Sequence, residues 1–343
     1  MTMELYIYDP VELVGILDDA TSIRWRRRYF TPGEFEIHMA ATAQNLQLMA
    51  AGNIVRRVDR REAGLILARE VKGEELTVTG RFLSIVLGWA TVSRTYTFRQ
   101  TYEQAMLALV AEGTRVRPEL TAGPAKGLPG AIAAQVTWKN LLKIEEKFAR
   151  ASGIGFRVLF EPGVWTFETY AGLDRSISQS QRPWVCISDE FENLIDPVYT
   201  DDLSGWKNFA FVGGDGEGAA RTIVTVDHTN GGERREIFVD AKDISREGLS
   251  DAEYLLALRQ RGEEQLAACT RVCAFEGGGE TVGNFEYLVD WDLGDIVTVQ
   301  FAKIGISEDL RITEVEEVYE NGVFEATPTF GDPLPETLDI GED

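Results

Sequence analysis

The fold class is decided by residues 22–40, SIRWRRRYFTPGEFEIHMA, in which two alternating runs flank a turn. The turn residues are Thr31-Pro32-Gly33, and Pro and Gly favour tight reversals of the chain. The flanking runs, Ser22–Phe30 and Glu34–Ala40, are therefore predicted to be the two strands of a hairpin. Apolar and polar residues alternate along the second run, which is typical of a sheet with one face in a core.

The sequence around this hairpin predicts further short strands. A turn at Asp9-Pro10 separates two apolar runs, and another candidate strand is expected to place Leu65, Leu67 and Val71 on one face. Many strands at short spacing are typical of a barrel or a sandwich. Residues 1–95 are therefore predicted to form a first β domain.

Residues 96–175 carry helical signals and are predicted to form a small α/β domain. Thr101-Tyr102-Glu103-Gln104 is a capping box, in which the Thr and Gln side chains each satisfy a backbone N–H at a helix start. A loop rich in Pro and Gly is expected over residues 118–131, and a second helix over Trp138–Arg150. A hairpin that turns at Glu161-Pro162-Gly163 completes the domain.

Residues 176–331 return to strands and are predicted to form a second β domain. One helix interrupts them near residues 251–268, after the capping box Ser250-Asp251-Ala252-Glu253. Its buried stripe is expected to contain Leu255, Leu258, Gly262 and Leu266. The acidic tail over residues 332–343 is predicted to be frayed.

The chain is strongly acidic. Its 343 residues include 34 Lys and Arg against 56 Asp and Glu, which gives a net charge of −22. Binding nucleic acid through its phosphates needs a basic surface, so the composition argues against such binding. The acidic composition is compatible with a channel wall that DNA passes without binding. It is equally compatible with a surface whose charge serves only solubility.

The cysteine count and the first residues bear on where the chain is made. Cys186, Cys269 and Cys273 are too few for a disulfide framework, and their odd number fits synthesis in a reducing cytoplasm. The first residues, MTMELYIYDP, hold no basic segment followed by an apolar run, so no signal peptide is expected. No run reaches the roughly 18 apolar residues of a membrane helix, so no membrane anchor is expected.

Residues 212–221, VGGDGEGAAR, are the stretch closest to a nucleotide-binding motif. The spacing of Gly214 and Gly216 matches part of a relaxed dinucleotide fingerprint, which requires a helix after the loop. The residues that follow are β-branched and alternating, so a strand is predicted there. Asp215 and Glu217 would also repel a phosphate. The stretch is therefore predicted to be an acidic hairpin loop, and no cofactor is expected.

No metal site is predicted. Cys269 and Cys273 have the wrong spacing for a Cys-x-x-Cys half-site, and His38 and His228 are the only imidazoles in the sequence. Residues 290–301 begin like a calcium loop, but Phe occupies the twelfth position, where a bidentate Glu is required.

No catalytic motif is found either. Two histidines and the absence of a Gly-x-Ser-x-Gly elbow leave little from which to build a Ser-His-Asp hydrolase. A pair of carboxylates can hydrolyse a glycoside, but among 56 acidic residues such a pair has no specificity as a signal. The seven tryptophans are scattered singly, as in β cores, so a sugar-binding platform is not favoured.

Several segments of the second half occur in an order that resembles a known family. They are WKNFAFVGGDGEGAARTIVTVD at 206–227, RREIFVDAKDIS at 234–245, FEYLVDWDLGDIVTVQ at 285–300, RITEVEEVYENG at 311–322 and TPTFG at 327–331. Together with TPGEFEIHM at 31–39, they resemble the siphovirus ReqiPepy-type minor tail protein family of long-tailed phages and prophages. That family is similar in turn to the baseplate hub proteins of contractile phages.

The resemblance implies a fold that is mainly β with an α+β insert. Hub-like proteins contain two tube-like β-barrel domains, here expected at 1–95 and 176–331 around the α/β domain at 96–175. Three chains would form a ring that joins the sixfold tail tube to the threefold tip. DNA would pass through without specific binding, and part of the −22 charge is then expected to line the channel.

The resemblance also implies partners and a location. The partners are two further copies of the chain, distal tail or tail-tube proteins, and tip or fibre proteins. The location is the tail tip of the virion, with the host cytoplasm during assembly. Two alternatives stay open at this point: a receptor- or carbohydrate-binding β module of a tail, and a wall-degrading hydrolase.

No catalytic, cofactor-binding or metal-binding residue is carried over from the family, and no enzyme activity is expected. Gly294 permits a tight bend before a strand, and Asp295 can accept hydrogen bonds from nearby N–H groups. The candidate structural or interface residues are Gly214, Asp215, Gly216, Glu217, Gly218, Arg221, Trp291, Gly294 and Asp295.

Overall fold

A computed structural model of the chain describes residues 3–191, 193, 195–278, 285–320 and 322–331. Within these residues the strands are β1 Leu5–Tyr8, β2 Leu13–Leu17, β3 Ser22–Arg28, β4 Glu34–Ala40, β5 Ile54–Arg57, β6 Ala63–Lys72, β7 Glu75–Phe82, β8 Tyr96–Thr101, β9 Leu120–Ala122, β10 Ala131–Val136, β11 Gly155–Glu161, β12 Val164–Tyr170, β13 Cys186–Ser188, β14 Ile195–Asp202, β15 Phe209–Gly213, β16 Ile223–Asp227, β17 Glu236–Asp240, β18 Val272–Gly278, β19 Ile296–Phe301, β20 Ile306–Glu320 and β21 Val323–Gly331. The α-helices are α1 Ala43–Leu48, α2 Tyr102–Thr114, α3 Leu141–Ser152 and α4 Asp251–Ala267, with short 3-10 helices at Leu83–Trp89, Asp189–Phe191, Gly218–Ala220 and Ala302–Ile304. None of the described helices has the length and apolar character needed to span a membrane.

The chain divides into two compact units, each built from segments that are separated in the sequence. Unit 1 contains Met1–Leu83, Ala171–Asp202 and Val272–Asp343, and unit 2 contains Ser84–Tyr170 and Leu203–Arg271. The fold is mainly β, as expected from the sequence. The linear domain boundaries given above stay a prediction, and the predicted tail over residues 332–343 lies outside the described residues.

Unit 1 is built on a thirteen-stranded sheet in which N-terminal and C-terminal strands pair. Its strand order is β14-β18-β21-β20-β3-β4-β7-β6-β5-β1-β2, with β19 also on β20 and β13 on β19. The predicted hairpin lies inside this order, because β3 pairs with β4 on one side and with β20 on the other. No closed barrel is found among the described strands, so the two-barrel arrangement is not confirmed.

The core of unit 1 follows the alternation of the predicted hairpin. Phe35, Ile37 and Met39 on β4 are buried, and Trp25 on β3 is fully buried against them. The Trp25 and Phe35 rings stack with their centroids 5.4 Å apart. Buried aromatic pairs of this kind contribute both apolar area and specific ring geometry to a core. The inward face predicted for β4 is confirmed.

The single inward face predicted for β6 is wrong at two positions. Leu65 is 3% exposed, but Leu67 and Val71 are 46% and 51% exposed. Every residue of β6 from Leu67 to Lys72 is exposed, so this end of the strand extends beyond the core on both faces. The pairing of β6 with β7 also shifts register between Ile66 and Ala68, where this exposed part begins.

Unit 2 combines helices with three small sheets. Their strand orders are β10-β8, β11-β12-β9 and β16-β15-β17. Both predicted capping boxes are confirmed. The Thr101 hydroxyl accepts the N–H of the third residue of α2, and the Ser250 hydroxyl accepts that of α4. The Gln104 and Glu253 side chains accept the backbone N–H of the cap residue in return. The predicted loop over 118–131 is interrupted by β9.

Two details of the helices differ from the sequence-based predictions. Helix α3 begins at Leu141 rather than Trp138, because Trp138 has a φ of +50° and Asn140 is the cap. On α4, Leu255 is 42% exposed, and the neighbouring Tyr254 is fully buried instead. The remaining stripe residues of α4 pack on the β16-β15-β17 sheet.

Candidate functional site

The predicted acidic loop joins β15 to β16 in unit 2 and is anchored at its base. The Arg221 guanidinium donates to the Gly214 carbonyl oxygen at 3.0 Å and to Asp240 Oδ1 at 2.7 Å. The backbone N–H of Asp215 donates to the Tyr254 hydroxyl at 2.6 Å. The Arg221 side chain therefore stabilises the base of the loop, and its charge is paired with the Asp240 carboxylate.

Above this base the loop exposes its two carboxylates. The side chains of Asp215 and Glu217 are 69% and 93% exposed. Gly216 and Gly218 have φ values of +98° and +53°, in the left-handed region that suits glycine. The strand β16 follows after a short 3-10 turn, so no α-helix directly follows the loop. The stretch is a hairpin loop, as predicted, rather than the strand–loop–helix unit of a nucleotide-binding motif.

The second predicted group lies in unit 1, at the turn before β19. Trp291 is fully buried, and its ring centroid lies 4.7 Å from that of Tyr287. The Asp295 carboxylate accepts the Leu173 backbone N–H at 2.7 Å and Arg175 Nε at 3.0 Å. Burial raises the pKa of the Asp295 carboxyl, and these two donors oppose the rise. Asp295 therefore ties the segment around residue 173 to the turn, which is a structural role.

Gly294 is the residue of this turn that leaves no room for a side chain. Its φ is +96°, and a Cβ atom would lie 2.3 Å from Cε2 of Tyr29. We expect Gly294→Ala to lower the free energy of unfolding by about 2 kcal/mol, because backbone strain and the ring contact add. Urea denaturation of purified protein measures this loss.

Gly305→Ala is the matched control for that variant. Gly305 also has a positive φ, +72°, but no atom lies within 4 Å of its Cβ position. Its substitution is expected to cost about 1 kcal/mol, from backbone strain alone. Equal losses in the two variants would show that the Tyr29 ring does not constrain Gly294.

A buried ionic network in unit 1 was not predicted from the sequence. Arg27 and Glu317 are 3% and 1% exposed, on the inward faces of β3 and β20. Arg27 donates to Glu62 Oε2 at 2.7 Å and to the Tyr287 hydroxyl at 2.8 Å. The Tyr287 hydroxyl donates in turn to Glu317 Oε1 at 2.6 Å. The network consists of Arg27, Arg57, Asp59, Arg60, Glu62, Tyr287, Asp292 and Glu317.

In this network, buried arginine and glutamate side chains have partners of opposite charge. Arg57 hydrogen-bonds to Glu317, which also lies 3.4 Å from Arg60. Burial raises the pKa of the Tyr287 hydroxyl, so it stays a neutral donor. The alternation of inward and outward residues along β3 indicates this site, because Arg27 lies two residues after Trp25 and therefore on the same inward face. An arginine at an inward strand position predicts a buried carboxylate partner.

The opposite face of β3 carries a charge ladder. It consists of Arg24, Arg26, Arg28, Glu34, Glu314 and Glu316. Arg26 lies 2.8 Å from Glu34 and 2.8 Å from Glu316, and Arg28 lies 2.7 Å from Glu314. Three positive and three negative side chains balance locally, so this face adds little to the net charge of the chain. A cleft of about 350 Å³ beside the ladder is lined by Arg24, Arg26, Glu34, Glu36 and Arg81 among others.

The histidines and cysteines whose side chains the structure describes do not cluster together. Within the described part of the chain, no group of three or more His, Cys, Asp or Glu side chains is arranged to hold a metal ion. His38 lies between Glu36 and Glu75, each at 3.1 Å, and its hydrogen bond with Glu36 raises the pKa of its imidazole. Burial raises the pKa of the Cys186 thiol. The side chain of Cys273 lies outside the described residues.

Comparison with solved structures identifies the fold. A tail protein from Neisseria meningitidis MC58 matches with a TM-score of 0.61 at 15% identity, covering 97% of each chain. The 43 kDa tail protein of prophage MuSo2 from Shewanella oneidensis matches with a TM-score of 0.60 at 13% identity, covering 95% of this chain and 98% of that one. The prophage tail protein gp18 from Listeria monocytogenes EGD-e matches with a TM-score of 0.59 at 12% identity, covering 97% and 95%. At these identities the similarity shows a shared fold.

Comparison with protein families agrees with the resemblance read from the sequence. A search of curated protein sequences finds no significant match. The family described as Siphovirus ReqiPepy6 Gp37-like protein matches residues 4–332, nearly the whole chain. The chain therefore belongs to the Siphovirus ReqiPepy6 Gp37-like family and has the fold of phage and prophage tail proteins.

Proposed function

We propose that this chain is a structural protein of a phage or prophage tail, located at the tail tip as a hub. The observation that carries the proposal is a fold shared with three tail proteins over at least 95% of this chain. The candidate residues support it, because Asp295 and Arg221 hold backbone turns rather than face a reaction cleft. We propose no enzyme activity for the chain.

The proposed assembly is a ring of three chains at the junction between tail tube and tip. Each chain would contribute tube-like β walls from the regions 1–95 and 176–331, with the α/β region 96–175 between them. The neighbours would be distal tail or tail-tube proteins on one side, and tip or fibre proteins on the other. The place of action is the virion tail, after assembly in the host cytoplasm.

The proposed ring lets DNA pass without holding it. The net charge of −22 supports this, because a carboxylate-lined wall repels phosphates. The charge ladder on β3 is locally balanced, so we assign the repulsive wall to other carboxylates. The exposed loop carboxylates Asp215 and Glu217 are candidates either for the channel wall or for a contact with a neighbouring chain.

An image reconstruction of the particle that carries this chain tests the proposal. We expect three copies in a closed ring at the tail tip, with exposed carboxylates along the inner wall and the loop between β15 and β16 ordered at a contact or at the channel. Finding the chain away from the tail tip would overturn the hub assignment. Finding every exposed carboxylate on the outer surface would overturn the channel assignment alone.

A further inference from the structure

The strand β2 is an apolar edge of the large sheet in unit 1. It is the last strand in the sheet order and pairs with β1 only, within the residues that the structure describes. Val11, Leu13, Val14 and Ile16 are each between 44% and 55% exposed. An edge strand presents backbone N–H and C=O groups that another strand can pair with.

Soluble proteins usually protect such edges, and β2 has one bulge but no protecting side chain. Lysine, proline or an inward charge on the edge strand is the common device, and the strand sequence LVGIL contains none of them. The register shift in the β1–β2 pair makes Val14 an extra residue of β2, while Gly15, Ile16 and Leu17 pair regularly with β1. The outer side of β2 is therefore a regular apolar edge from Gly15 to Leu17.

The charged residues of the segment that contains β2 all have one sign. Residues 3–20 carry Glu4, Asp9, Glu12, Asp18 and Asp19, and no Lys, Arg or His. Asp9 accepts the backbone N–H groups of Val11 and Glu12, and these bonds lower the pKa of its carboxyl. The edge thus combines an apolar centre with negatively charged ends.

We propose that β2 binds a β-strand from another tail protein, an apolar alternating strand with Lys or Arg at its ends. Main-chain hydrogen bonds would extend the sheet, and the apolar side chains of β2 would be covered. A second copy of this chain fits poorly, because pairing two β2 edges brings five carboxylates of each hairpin toward five like charges. The inference rests on the proposed tail function and identifies one of its contacts.

Two pairs of variants in the full chain test this contact by incorporation into tails. Val14→Glu is compared with Val71→Glu, because Val71 on β6 is equally exposed on the same sheet. Glu12→Lys is compared with Glu70→Lys, a charge reversal on β6. Each β2 variant is expected to lower the amount of chain in purified tails by about tenfold or more, which corresponds to about 1.4 kcal/mol. Each β6 variant is expected to incorporate like the wild type.

Backbone hydrogen exchange separates loss of the contact from loss of folding. We expect amides of residues 13–17 to exchange at least about tenfold more slowly in assembled tails than in the free chain. Thermal unfolding of the free variants is expected to match within each pair. Unchanged exchange at β2 on assembly, or equal incorporation of Val14→Glu and Val71→Glu, would overturn the proposal.

Two further outcomes distinguish this proposal from others. If the wild-type chain is absent from purified tails, the proposed tail function is wrong, and with it the contact that rests on it. If the free chain forms dimers that Val14→Glu abolishes, a second copy is the occupant and the proposed heterologous contact is wrong.

Discussion

Glu317→Ala is expected to lower the free energy of unfolding by about 3 kcal/mol, which is a large share of the stability of an ordinary domain. Glu317 is 1% exposed and hydrogen-bonds to Arg57 and to the Tyr287 hydroxyl, with Arg60 at 3.4 Å. Removing its carboxylate leaves the Arg57 guanidinium, itself 3% exposed, with the half-exposed Asp59 carboxylate as its counter-charge, and takes the acceptor from the Tyr287 hydroxyl. A buried charge that loses part of its compensation costs more than a lost surface ion pair.

Glu316→Ala is the matched control, one residue earlier on the same strand. Glu316 belongs to the charge ladder on the opposite face, where it lies 2.8 Å from Arg26 and is 29% exposed. Partly exposed ion pairs contribute about 1 kcal/mol or less. Urea denaturation of both variants measures the difference. Similar losses would show that Glu317 is not the centre of a buried network.

The hairpin and its inward residues are predictable from the sequence because the cause is local. A Thr-Pro-Gly turn between two alternating runs specifies both the reversal and the buried face of β4. The capping boxes of α2 and α4 are local in the same sense, and both are found where predicted. The acidic loop also follows from the glycines and from the strand after it.

The pairing of β3 with β20 is not predictable in this way. Arg26 and Glu316 contact each other although 290 residues separate them, and alternation within a strand says nothing about which distant strand lies beside it. The buried ionic network has the same origin, because its carboxylates come from β20, from the loop before β6 and from the turn before β19. The sequence indicates that Arg27 points inward but cannot identify Glu62 as its partner.

A second large effect is expected from the pH dependence of Glu264 in unit 2. Glu264 is 6% exposed on α4, and burial raises the pKa of its carboxyl to about 7. Arg261, Lys147 and Gln260 oppose that rise, and Arg261 Nε lies 4.0 Å from the carboxylate. Glu145 on α3 is fully buried, and burial raises the pKa of its carboxyl as well. The helices of unit 2 therefore hold two carboxyl groups that favour protonation.

The sign of the Glu264 effect follows from proton binding. Between its ordinary pKa of 4.5 and its folded-state pKa of about 7, the folded chain binds more protons at this site than the unfolded chain. The contribution to stability is therefore complete below about pH 4.5 and is lost as the pH rises toward about 7. At about 1.4 kcal/mol per unit of pKa, the loss is on the order of 3 kcal/mol.

Glu264→Gln is expected to remove this loss, because the amide resembles the protonated acid and stays neutral at every pH. The variant should be similar in stability to the wild type near pH 4.5 and more stable by on the order of 3 kcal/mol at pH 8. Urea denaturation of both proteins at the two pH values measures the difference, in which the other titrating groups cancel. Glu263→Gln is the control, because the Glu263 side chain is 46% exposed and pairs with His228. A Glu264→Gln difference that is the same at both pH values would show that the Glu264 carboxyl stays ionised in the folded chain.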